Sequence, residues 1–89
     1  VGGAVAAAVG ERLARLGQTT QTLVVTHSPQ VAAKGDQHMK IAKTATDSGV
    51  ISGTEQLDDS ARTEEIARML AGEEITAEAR AAALALREG

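Results

Sequence analysis

Eighty-nine residues allow one small domain at most, and a chain of that length buries only a modest fraction of its surface. It has no Phe, Trp, Tyr or Cys, and its 43% apolar content leans on alanine. That excludes disulfides and thiolate metal sites and leaves no aromatic area for a core. A net charge of −3 argues against nucleic-acid binding by this segment itself, because phosphate contacts need clustered Lys and Arg.

Lys34, Lys40 and Lys43 are the nearest approach to a basic patch, but Asp36 and Asp47 dilute them and they read as a solvated face. No apolar run reaches the roughly 18 residues of a membrane span. The first residues lack the basic region of a signal peptide, and the chain opens on Val1, which reads as a fragment. The alanine-rich composition reads as part of a larger sheet. An alanine-rich domain that folds alone is the alternative.

Val5, Val9, Leu13 and Leu16 recur at spacings of four, four and three, which predicts a helix over 4–16. Glu11 and Arg15 form a supportive i, i+4 pair, Gly17 ends the helix, and Gly10 inside it suggests close packing against a neighbour. Residues 21–26 form a short β-rich run bounded like an interior strand of a parallel sheet. Ser28 is an N-cap and Pro29 suits the first position of a helix over 29–33, with Gly35 placed to cap it.

Met39 and Ile41 alternate with Lys40 and Ala42 as in a strand. Asp47-Ser48-Gly49 is a turn signal, and a second strand runs from Val50 towards Leu57 with Gly53 as a bulge, so a β-hairpin is predicted. Asp58-Asp59-Ser60 offers an N-cap for a helix through Leu70. That helix has an Ile66, Met69 and Leu70 stripe, a Glu64–Arg68 pair and Gly72 at its end. Thr76 caps the last helix, whose Ala79, Ala82, Ala83 and Leu86 face inward. Glu73, Glu74 and Glu78 suit its start, and Arg87 suits its end.

His27 is the leading candidate for chemistry. It stands at the carboxyl end of the predicted interior strand, just before a helix, where ligands bind in open α/β sheets. A ring N–H there can reach a phosphate oxygen or position an attacking water. The plain alternative is a histidine that caps the helix or fills a polar gap. Paired Gly2 and Gly3 before a helix would let backbone N–H groups approach a ligand, or they are an ordinary chain start. Thr26 and Gln30 could orient His27 or bind water, but the better account is that Thr26 ends the strand and Gln30 is a helix-surface residue. His38 reads as an exposed strand residue. His27 and His38 have no metal-ligand spacing, so no metal site is assigned.

The segment Thr22-Leu23-Val24-Val25-Thr26-His27-Ser28-Pro29-Gln30-Val31-Ala32-Ala33 resembles the histidine switch of the RecN family. These are ATP-binding-cassette ATPases of bacterial DNA repair, related to the structural-maintenance-of-chromosomes proteins. The start, from Val1-Gly2-Gly3-Ala4 through Gly10-Glu11-Arg12-Leu13, resembles the helix after that family's Walker B strand. Glu64-Glu65-Ile66-Ala67-Arg68-Met69-Leu70-Ala71-Gly72 resembles its carboxyl-terminal helix.

The resemblance implies a fold: the carboxyl-terminal lobe of a P-loop NTPase head, an α/β unit with an incomplete sheet, flanking helices and a β-hairpin. It implies His27 as γ-phosphate sensor, with Gly2 and Gly3 ending the loop that reaches a partner head's nucleotide. ATP and Mg²⁺ would be held mainly by upstream residues, since this chain has no GxxxxGK[ST] loop, no signature segment and no strand ending in paired acids. The implied partners are the upstream part of the same head, a second head in a homodimer, and DNA contacted through other parts of the protein. The implied location is cytoplasmic, at the nucleoid. A head from another chromosome ATPase, or a small non-catalytic interaction domain, are the alternatives.

Overall fold

The computed structural model describes residues 2–89. In chain order it contains α1 (Gly3–Gly17), α2 (Pro29–Ala32), β1 (Met39–Thr46), β2 (Gly49–Gln56), α3 (Asp59–Ala71) and α4 (Ala77–Glu88). The fold is a small α/β arrangement in which helices flank one antiparallel hairpin, β1–β2.

Local chemistry sets most boundaries. Ser28, Asp58 and Thr76 each accept a hydrogen bond from the backbone N–H three residues on, and these cap α2, α3 and α4. Pro29 occupies the first position of α2, where its missing N–H costs nothing. Gly72 stops α3 at φ 85°, a conformation that most side chains resist. Gly10 is buried where α1 meets α2. A Cβ there would lie 3.0 Å from the Gln30 carbonyl oxygen and 3.3 Å from the Val31 Cα, so the helices meet backbone to backbone.

The core lies between α3 and α4. Ile66 is fully buried among Ala33, Ala67, Ala79 and Ala83, with Ile75 and Leu86 packed against them. It is the only large side chain among the described residues that is wholly enclosed.

Several expectations need correction. Residues 21–26 are not a strand: among the described residues they join no sheet, and Leu23 and Val25 are 79% and 82% exposed. A ladder needs a neighbour for its N–H and C=O groups, and the hairpin pairs only with itself. Gly53 is not a bulge: β1 and β2 pair residue for residue from Met39↔Gln56 to Thr46↔Gly49, with Gly53 opposite Ala42. The helix after Ser28 has Ala33, not Gly35, as its C-cap, because beyond Ala33 the bonds tighten to three-residue turns, Lys34 N–H to Val31 and Gly35 N–H to Ala32.

Ala82 is exposed, since a four-residue step from Ala79 leads to Ala83 and turns Ala82 off the inner face. Leu70 is likewise 38% exposed at the edge of the α3 stripe. Arg68 pairs with Glu65 rather than Glu64, and Glu64 instead pairs with Arg80 across to α4. Among the described residues Glu11 and Arg15 form no ion pair, both being exposed and free to stay hydrated.

Candidate functional site

The turn that carries His27 is built from its neighbours. Thr26 Oγ1 accepts from the Ser28 N–H at 3.0 Å and closes the bend in which His27 lies. Ser28 Oγ accepts from the Val31 N–H at 3.4 Å and donates to Gln30 Oε1 at 3.1 Å. His27 therefore sits between an apolar run and a capped helical turn. Its side chain is exposed and makes no hydrogen bond among the described residues.

The two other predicted site residues lie at the start of α1. Gly2 is the N-cap, and its carbonyl accepts from the Ala6 N–H at 3.0 Å. Gly3 faces α2, where a Cβ would stand 3.5 Å from Gln30 Nε2. Gln30 thus bridges the glycine pair to Ser28, so that the start of α1 and the His27 turn are neighbours although 24 positions separate Gly3 from His27. Gln30 is half-buried and has a definite partner, which the surface reading of this position missed.

An open cleft of about 1330 Å³ runs beside this turn. Residues 22–27 form one side; Met39, Ile41 and Thr54 of the hairpin contribute, as do Glu65, Arg68 and Met69 of α3. The apolar groups of this run and of β1 thus border one space.

Two buried charged residues on α3 escaped the sequence reading. Arg62 is 7% exposed. Its Nη2 donates to the carbonyl oxygens of Gly35 at 2.8 Å and Ala32 at 3.4 Å, and its Nη1 donates to that of Asp36 at 3.4 Å. Burial lowers its pKa first, and the nearby Arg87 guanidinium adds to this. Glu65, also buried, bonds Lys40 Nζ of β1 at 3.1 Å and the Arg68 guanidinium, with Arg68 Nε at 2.7 Å. Burial pushes the Glu65 carboxyl up, but the hydrogen bonds from Arg68 and Lys40 and their charges outweigh it, and the net shift is downward. A signal was present: Arg62, Glu65, Ile66 and Met69 share one face at spacings of three and four.

His38 also departs from its reading as an exposed strand residue. It precedes β1 and is half-buried, and its carbonyl accepts from the Leu57 N–H at 2.9 Å to close the base of the hairpin. Burial, then the charge of Arg62, lowers its pKa.

Among the described residues no helix is long and apolar enough to cross a membrane. No three His, Cys, Asp or Glu side chains among them converge to hold a cation.

The chain is similar in sequence to bacterial proteins named DNA repair protein RecN. The one from Xylella fastidiosa strain Temecula1 is 52% identical over 83 residues, covering 93% of this chain and 15% of that protein. The one from Streptomyces coelicolor is 47% identical over 88 residues, covering 99% of this chain and 15% of the relative. The one from Deinococcus radiodurans is 49% identical over 72 residues, 81% of this chain and 13% of the relative. The chain therefore spans about 13–15% of the length of these curated relatives. No family model matches it.

Proposed function

We propose a function from one premise: this chain belongs to the RecN family, as a segment of its carboxyl-terminal part. In this reading it is a piece of an ATP-binding and ATP-hydrolysing head of an SMC-like protein that acts in DNA double-strand break repair and recombination. The observation that carries the reading is the placement of His27. It is exposed in a hydrogen-bonded bend, at the end of an apolar run and before a capped turn, with Gly3 close by through Gln30.

The chemistry assigned to His27 is limited and specific. Water attacks the γ-phosphorus of ATP, and the bond from that phosphorus to the β–γ bridging oxygen breaks. ADP and inorganic phosphate leave, and one proton of the water is released. Charge shifts among the phosphate oxygens as this happens. A ring N–H of His27 held against the γ-phosphate, or against the attacking water, acts on that shift more than on the bound ground state. Gly2 and Gly3 end the loop that approaches the nucleotide of a partner head, where the lack of Cβ atoms permits close contact.

The side chains present do not fit a magnesium site, so the metal and most phosphate contacts fall to the upstream part of the head in this reading. The cleft beside residues 22–27 supports the incomplete sheet of a P-loop lobe. Its bordering run is rich in β-branched residues and joins no sheet among the described residues, and a strand from the upstream part would supply the missing ladder. The whole protein then works as a homodimer of heads at the nucleoid, with DNA held by other parts of it.

The test is His27→Ala in full-length RecN carrying this sequence. Turnover is expected to fall about a hundred-fold or more, the effect of losing one positioned donor, while ATP affinity stays near the wild-type value. Unchanged turnover would remove His27 from the reaction. Parallel losses of affinity, turnover and thermal stability would make it a residue of the fold.

A further inference from the structure

We propose that Arg62 is a positioning residue for His27, acting through the carbonyl end of α2. The inference rests on the reading of His27 as the γ-phosphate sensor.

Arg62 is a buried cation that makes no ion pair among the described residues; its Nη1 and Nη2 donate to the backbone carbonyls of Ala32, Gly35 and Asp36, while its buried Nε has no partner. Burying a charge is costly unless hydrogen bonds compensate, so the site is built around these three acceptors. One of them, Ala32, is the last residue of α2, where a cation is favourable, and Gly35 and Asp36 lie just past its C-cap.

That turn cannot hold itself. α2 has four residues, far fewer than a free helix needs for stability. Its seat comes from two sides. On one, α1 meets it at Gly10, backbone to backbone. On the other, Arg62 reaches from α3, which is anchored in the core by Ile66 and Ala67, to the carbonyl of Ala32, the last residue of α2, and to those of Gly35 and Asp36 just beyond it.

Between grip and site the coupling is continuous. Backbone bonds run from Gly35 to Ala32, Lys34 to Val31, Ala33 to Pro29 and Ala32 to Ser28, all between 3.0 and 3.3 Å. The Ser28 N–H is then tied to Thr26 Oγ1 across His27. A tilt of the turn at Gly35 would be passed toward the His27 bend through these bonds. Lysine at position 62 would keep the charge but replace the planar fork, whose two nitrogens serve three carbonyls, by a single nitrogen that cannot reproduce that geometry.

The experiment uses full-length RecN carrying this sequence, with Arg62→Lys, His27→Ala and the double variant. ATP turnover, ATP affinity and thermal midpoint are measured for each. Arg62→Lys is expected to slow turnover about ten- to a hundred-fold, the scale of a small misplacement of a reacting group, with ATP affinity near wild type. In the His27→Ala background it is expected to slow turnover no further, because the group it positions is gone.

Normal turnover in Arg62→Lys, with His27→Ala impaired, overturns the proposal and leaves the sensor reading standing. So do multiplicative losses in the double variant. Normal turnover in His27→Ala overturns both. If Arg62→Lys lowers thermal midpoint and affinity together, Gly10→Ala decides, since it presses α2 from the α1 side. A turnover loss that vanishes in the His27→Ala background supports the positioning role, and a loss that persists there overturns it.

Discussion

Replacing Ile66 by alanine probes the segment on which the site is mounted. Ile66 is wholly enclosed, and its surroundings are chiefly Ala33, Ala67, Ala79 and Ala83. Alanine has no side-chain torsion with which to move into a void, so the cavity left by Ile66→Ala stays largely open. The expected cost is about 3–5 kcal/mol, the upper part of the range for such truncations. In amide hydrogen exchange, α3 and α4 amides that open by unfolding of this unit should lose protection by about a hundred-fold to a few thousand-fold. Leu84→Ala is the internal control. Leu84 is on α4 but 47% exposed, and its truncation should cost only about 1 kcal/mol. A loss of less than about ten-fold for Ile66→Ala, or equal losses for the two variants, would refute a core centred on this side chain.

Acid should weaken the unit in two windows. Glu65 has a lowered pKa in the fold, so its contribution is present above the ordinary value of 4.5 and is lost as pH falls through the folded value. Glu65→Gln should flatten that limb of a thermal midpoint profile. His38 is also lowered, so the unfolded chain takes up the proton first, and stability is lost as pH falls from 6.5 towards the folded value. His38→Gln should remove that higher limb and leave the lower one, and a profile unchanged by either variant would contradict both assignments. Ser28→Ala removes the cap of α2 at a cost of about 1 kcal/mol, so exchange at the Val31 amide should rise about five-fold, and no change there would show that the cap does not hold the turn.

The parts legible in the sequence are those fixed by neighbours along the chain. The caps at Ser28, Asp58 and Thr76, the stop at Gly72 and the hairpin about Asp47–Ser48 are each decided by a few adjacent residues, and all were read correctly apart from the Gly53 bulge. The close approach at Gly10 was also foreseeable, because an unforced glycine inside a helix asks for a reason. What failed depended on distant partners. Residues 22–26 have the composition of an interior strand, yet pairing is a property of a neighbour, which this sequence does not contain. Arg62 and Glu65 lay in plain sight on the stripe of α3, but their partners are backbone carbonyls near Gly35 and a lysine on β1, and periodicity cannot name either.

The same division runs through the molecule. On one side α3 and α4 close over Ile66, and ion pairs from Arg87 to Asp59 and Arg80 to Glu64 lace their outer faces. On the other side Leu23, Val25, Met39 and Ile41 remain exposed around the cleft. His27 lies at the open side while the turn behind it is fastened to the closed side through Arg62. A group that must meet a ligand and still keep its geometry needs both conditions at once: freedom of the ring from protein partners and restraint of the backbone that carries it. In the proposed reading the Ser28 N–H bond to Thr26 closes the bend from within, Arg62 holds the segment that follows α2, and the exposure of His27 gives access.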